Sequence, residues 1–128
     1  MKKGIVTRAV QADDGPFIYS TWLRGLYYGN DWFRKIDKKS FFDKYRLVVG
    51  QLLLKSNVRV AVLEEDPDVI VGYVVYSGHT LHWVYVKKNW RRLGVGRALI
   101  PDGIEVVTHL TKRAAKVNPY KFDPLITE

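Results

Sequence analysis

The sequence contains no cysteine among its 128 residues, and this absence alone removes several classes of protein. It excludes a disulfide scaffold, a thiolate metal site and a thiol nucleophile, and it fits a reducing compartment. Also missing is any apolar run near the roughly 20 residues needed to cross a bilayer. The opening stretch "MKKGIVTRAVQADDG" begins basic but lacks the apolar region of a secretory signal. These absences lead us to expect a soluble, cytoplasmic protein with no metal. No repeat, low-complexity tract or linker divides the chain, so residues 1–128 are read as one domain, long enough to bury a core. Acidic residues are scarce: 13 Asp and Glu stand against 21 Lys and Arg, for a formal net charge of +8. That excess favours an anionic partner, whether nucleic acid, phosphorylated cofactor or acidic protein surface, without choosing among them. At 47% hydrophobic and 27% charged residues, the chain is globular rather than disordered.

What is present falls into an ordered run of elements. "GIVTRAV" (residues 4–10) is rich in β-branched residues and reads as a first strand. Asp13 and Asp14 are N-cap candidates for a helix to about Tyr28, with Ile18, Trp22 and Leu26 on one face and Gly29 as its stop. The polar, aromatic-studded "GNDWFRKIDKK" leads to a second helix, for which Ser40 and Asp43 form a capping-box pattern. Phe41, Phe42, Tyr45, Val48, Val49, Leu52 and Leu53 repeat there at helical spacing, a stripe expected to pack on a sheet. Three strands follow. Val58, Val60 and Val62 alternate with Arg59 and Ala61; "EEDPD" turns the chain; residues 69–76 are almost continuously apolar, as in a central strand buried on both faces. "SGHT" then turns into residues 81–86, completing an antiparallel meander.

A third helix starts at "VGRALI" and should be ended or kinked early by Pro101-Asp102-Gly103. "IEVVTHLT" could continue that helix or form a fifth strand, and its β-branched residues favour the strand. The tail "KRAAKVNPYKFDPLITE" allows a short helical turn and then an edge strand limited by its prolines.

Between the meander and the third helix lies "YVKKNWRRLGVGRALIP". Three phosphate-binding devices compete for its glycines. A Walker loop requires G-x-x-x-x-G-K-[ST], which follows neither Gly94 nor Gly96. A dinucleotide fingerprint would need glycine at Leu99, an acidic residue near Lys116 and a βαβ unit, and none of these is present. The remaining pattern is strand, basic turn, R-x-x-G-x-G and helix, met by Arg91, Gly94 and Gly96. Glycines there let the backbone turn tightly and approach a ligand, and helix N-terminal amides favour a pyrophosphate.

With this motif in this context, the sequence resembles the GCN5-related N-acetyltransferases, whose signature is [RQ]-x-x-G-x-[GA] between the fourth strand and third helix. The likeness covers roughly residues 4–110. It implies an α+β fold of the acyl-CoA N-acyltransferase type: a mixed, mostly antiparallel sheet flanked by helices, in the order strand, two helices, three strands, helix, strand, with a shortened C-terminal part. That short format is also similar to compact acetyltransferases encoded by bacteriophages. The resemblance further implies acetyl-CoA as co-substrate. Its pyrophosphate would lie on the amides of Arg92, Leu93, Gly94, Val95, Gly96 and Arg97, with Arg91 adding charge. Its pantetheine arm would lie along Val84, Tyr85 and Val86, where the strand splays from its neighbour.

Direct acetyl transfer needs a neutral nucleophile, a donor for the thioester oxygen and an acid for the leaving thiolate. The N–H of Tyr85 or Val86 is a candidate donor. His82 and His109 are candidate bases, Glu64, Glu65 and Asp66 could activate a water, and Tyr120 is a candidate acid. Relatives carry the acid tyrosine on a fourth helix, for which Asn118-Pro119-Tyr120 leaves little room. The acceptor is an amine on a small molecule, a protein or a nucleic acid. Tyr27, Tyr28, Trp32 and Phe33 among Arg34, Lys35, Lys38 and Lys39 suit base stacking and phosphate contact. A nucleic-acid-binding or -modifying protein and a non-catalytic CoA-binding module, monomeric or homodimeric, are the alternatives.

Overall fold

The computed structural model describes residues 4–111, 114 and 119–126. The elements are β1 (Ile5–Ala9), α1 (Gly15–Tyr28), α2 (Lys38–Lys55), β2 (Asn57–Leu63), β3 (Ile70–Ser77), β4 (Thr80–Val86), α3 (Val95–Leu99), β5 (Val106–Val107) and β6 (Lys121–Phe122). They form one six-stranded sheet in the order β1-β2-β3-β4-β5-β6. The first three pairings are antiparallel and the last two parallel. The fold is therefore mixed α+β, in the element order read from the sequence, with β6 added at the edge.

Helices cover both faces of the sheet. On one, Ile18, Trp22 and Leu26 of α1 and Phe41, Val49 and Leu52 of α2 bury against Val60, Val62, Tyr73, Val75 and Trp83. On the other, Val95 and Leu99 of α3 pack with Ala61, Val71, Val74, Leu81 and Val107. β3 lies in the middle and is buried from Ile70 to Val75, which is why its sequence is continuously apolar rather than alternating. β2 keeps its alternation, with Val60 and Val62 on one face and Ala61 on the other.

The cap of α2 differs from the pattern in the sequence. Asp37, with backbone angles outside the helical region (φ −52°, ψ 128°), accepts from the Ser40 N–H at 3.1 Å, while Asp43 is ion-paired to Lys39 at 2.9 Å. Ser40 lies inside the first turn, so it needs an acceptor instead of supplying one. Asp14 precedes α1 but does not cap it. Its buried carboxylate takes a two-pronged bond from Arg8, at 2.8 and 3.0 Å, and accepts from the Gln11 N–H. The segment 104–111 forms a strand of two residues, and α3 ends at Leu99, shortly before Pro101. The helical turn read in the tail falls on 112–118, of which only Ala114 is among the described residues. Among the described residues no helix is long and apolar enough to cross a membrane.

Candidate active site

The site begins where β4 parts from β5. The two strands pair only at Thr80 and Leu81, and the Thr108 N–H reaches the Leu81 carbonyl at 3.1 Å. Beyond that point β4 continues to Val86 while still paired to β3. The Lys87 N–H donates to the Val71 carbonyl at 2.8 Å. Antiparallel hydrogen-bonded pairs recur every second residue, so Tyr85, opposite Tyr73, also spends its backbone groups on β3. Val84 and Val86 turn theirs to the open side. Tyr85 therefore contributes its ring to the site, and of the two donors suggested for a thioester oxygen, only the Val86 N–H faces outward.

A bulge sets this arrangement. Val75 faces Trp83 and Tyr76 faces Leu81, leaving His82 as the extra residue of β4. Leu81 thus packs on the α3 face, whereas Trp83 and Tyr85 lie on the α1–α2 face. Bulges re-aim side chains and end pairing, and here both effects occur at the mouth of the site. The opening is a cleft of about 830 Å³, lined in part by Trp83, Val84, Tyr85, Val86, Arg91 and Gly96.

At the far end of β4 the chain enters the glycine turn. Gly94 has φ +80° and is the N-cap of α3, with no side chain to cap it. A Cβ placed on Gly94 would meet nothing within 4 Å, and one on Gly96 would touch only Val86 Cγ2, at 3.5 Å. The Ala98 N–H bonds to the Gly94 carbonyl at 3.0 Å, so those of Val95, Gly96 and Arg97 have no acceptor within the helix. Arg92 also has a positive φ, 64°, rare for a residue with a side chain. The result is an open cradle of outward amides beside Arg91, Arg92 and Arg97, with Leu93 partly exposed, and it fits a pyrophosphate. Arg91 does more than add charge: its Nε donates to the Val86 carbonyl at 2.8 Å and ties the turn to the end of β4.

Under the cleft, the Thr108 hydroxyl joins two histidines, with His82 Nδ1 at 2.9 Å and His109 Nδ1 at 2.8 Å. One hydroxyl can donate to only one of them, so it accepts from the other, and their tautomers are coupled. His82 is fully buried. His109 is packed edge-on to Trp22 and Tyr45. Burial first, and the nearby His82 second, push its pKa down to about 4, against an opposing bond to the His82 backbone. Its ring is neutral near pH 7. Tyr120 lines the cleft with His109, whereas Glu64, Glu65 and Asp66 form an exposed turn outside it. Sequence reading missed Thr108 and Trp83. The only signal for Thr108 was a hydroxyl beside a histidine in an otherwise apolar strand. Tyr28, Asp31 and Arg34 border the other side of the cleft, and Arg34 is ion-paired to Asp31. Trp32 is exposed, while Tyr27 is buried and Phe33 packs against the core. Among the described residues no group of three His, Cys, Asp or Glu could hold a metal ion.

The family described as Acetyltransferase (GNAT) domain matches residues 56–120, half of the chain and the part that carries the meander, the splayed strand and the glycine turn. The chain belongs to that family. Solved structures share the fold. A possible acetyltransferase from Clostridium difficile 630 aligns with a TM-score of 0.55 at 20% identity, covering 98% of this chain and 97% of that one. A GCN5-related N-acetyltransferase from Rhodopseudomonas palustris gives 0.55 at 14%, covering 77% and 62%. Apo-form YjaB from Escherichia coli gives 0.50 at 23%, covering 74% and 60%. The aligned part of this chain thus spans about three fifths of each of the last two proteins. No curated protein matches the sequence.

Proposed function

We propose that this protein is an acetyl-CoA-dependent N-acetyltransferase that passes the acetyl group directly to an amine. The observation that carries the reading is the parting of β4 from β5 after Leu81, with the glycine cradle at the end of the freed strand. Val84 and Val86 would hold the pantetheine arm, and the amides of residues 92–97 the pyrophosphate. Acetyl-CoA, when bound, supplies a thioester activated for acyl transfer. The outward Val86 N–H is then the donor available to the thioester oxygen, and Tyr120 is a hydroxyl that could protonate the leaving sulfur. With no cysteine in the chain, transfer proceeds without a covalent thioester on the protein.

Thermal-shift titration with acetyl-CoA, CoA and NAD tests this. A ligand bound only by the native state stabilises it by about 2.7 kcal/mol at a hundredfold excess over Kd, so acetyl-CoA should raise Tm and NAD should not. Gly94→Asp should abolish the shift, because it places a carboxylate where the pyrophosphate would lie. Gly94→Ala controls for the strain of a side chain at positive φ and should keep the shift. No shift in the unaltered protein would remove the reading.

A second reading, in which a nucleic acid carries or guides the acceptor, is favoured by a separate groove of about 770 Å³ between α1 and α2. It is lined by Tyr19, Arg24, Lys38, Phe42 and Arg46, with no carboxylate in its wall among the described residues.

A further inference from the structure

We propose that the acceptor of this cleft is an uncharged, weakly basic aromatic amine, an aryl- or heteroarylamine whose nitrogen is already free of its extra proton at neutral pH. This rests on the acetyltransferase reading above and names its second substrate.

The first argument is proton balance. When a neutral amine R–NH₂ attacks the thioester, the N–C bond forms and the C–S bond breaks. The proton lost by nitrogen ends on sulfur, so amide and thiol account for every atom. An ammonium R–NH₃⁺ carries one proton more, and a base must remove it before the nitrogen has a lone pair. Aliphatic ammonium groups titrate near 10.4, the lysine value, so a cleft that uses them at neutral pH needs a proton sink.

This cleft has none among its described residues. The only carboxylate lining it is Asp31, which is paired to Arg34. Arg91 lines the cleft as well and opposes a cationic acceptor. The histidines do not fill the gap. His82 is fully buried on Thr108, and His109, half-buried between Trp22 and Tyr45 where it lines the cleft, has its Nδ1 engaged by the Thr108 hydroxyl. The titratable groups packed around His109 are His82 from β4 and Tyr45 from α2; burial raises the Tyr45 phenol, so it offers no negative charge. The second argument is shape. Tyr28, Trp83, Tyr85 and Tyr120 line the cleft with His109, and such walls suit a flat ring over a flexible charged chain.

The test is CoA release from acetyl-CoA by the purified chain, with acceptors matched in size. 4-Methylaniline represents the free arylamine, cytidine and adenosine represent a nucleobase amine, and benzylamine and lysine amide represent ammonium acceptors. At pH 7 kcat/KM for an aromatic amine should exceed that for benzylamine at least tenfold. Between pH 7 and 9 benzylamine should gain about tenfold per unit with its neutral fraction, while the aromatic amine stays flat. Turnover of a nucleoside but not of the free arylamine places the aromatic amine in a nucleobase and supports the proposal. Equal or better use of benzylamine or lysine amide at pH 7 overturns it. So does the absence of turnover with every aromatic amine in a protein that acetyl-CoA stabilises. Absence of that stabilisation would instead remove the acetyltransferase reading, so the two failures are distinguishable.

Discussion

The side chains of His109 and Asp14 tie single residues to acid sensitivity in two separate windows. An ordinary imidazole titrates near 6.5, and His109 titrates at about 4 in the folded chain. Between those values the unfolded chain takes a proton that the native state refuses. The stabilisation is therefore complete above about pH 6.5, is lost as pH falls toward 4, and amounts to about 3 kcal/mol at most. Asp14 is also depressed, chiefly by the hydrogen bond from Arg8. Its contribution is present above the ordinary carboxylate value near 3.8 and is lost below it, so the windows do not overlap. Urea midpoints measured from pH 7.5 to 4 should fall for the unaltered protein and stay nearly flat for His109→Gln. Equal slopes in the two would refute the assignment. At this scale the sequence named His109 but not its state, because the desolvating partners Trp22 and Tyr45 lie far away in the chain.

At the level of elements, the cap of α2 shows how a motif can match and still be misplaced. Ser40 and Asp43 satisfy the capping-box spacing, yet the helix starts at Lys38 and Asp37 does the capping. Asp37→Ala should lower stability by about 1 kcal/mol, read as a drop in urea midpoint at constant slope. Asp43→Ala should leave the midpoint unchanged, since it pairs with an exposed lysine, Lys39. The reverse result would restore the sequence assignment. Strands were more legible than caps. β3 announced its double burial by an unbroken apolar run, and β2 by its alternation. The bulge at His82 left no such mark, because nothing in "TLHWVYV" says which residue β3 will leave unpaired.

Across the whole molecule, the positive charge is not spread evenly around the two openings. The α1–α2 groove combines Arg24, Lys38 and Arg46 with the rings of Tyr19 and Phe42, and the Lys38 ammonium sits over the Tyr28 and Phe42 rings at 5.2 and 5.8 Å. If a single strand of nucleic acid runs through it, log K should fall linearly with log salt, by about 0.7 for each phosphate neutralised. Arg46→Gln should reduce that slope by roughly one contact, about 0.7. Fluorescence anisotropy with a labelled oligonucleotide at several salt concentrations measures both. A slope unchanged by the substitution would exclude the groove as the binding surface.

The sequence by itself determined the local physics: β-branched runs that extend, apolar periodicities that bury one face, and a glycine turn that only a backbone free to adopt φ +80° can make at Gly94. That was enough to give the element order and the glycine turn at the start of α3. Tertiary structure alone decided where β4 loses its partner, which of its backbone groups face outward, and which histidine is held neutral. It also decided that, among the described residues, the cleft beside Arg34 and Arg91 is lined by a single carboxylate, Asp31, already paired. Those features depend on residues brought together from α1, α2, β4 and the segment after β5, and no pattern confined to one segment encodes such meetings.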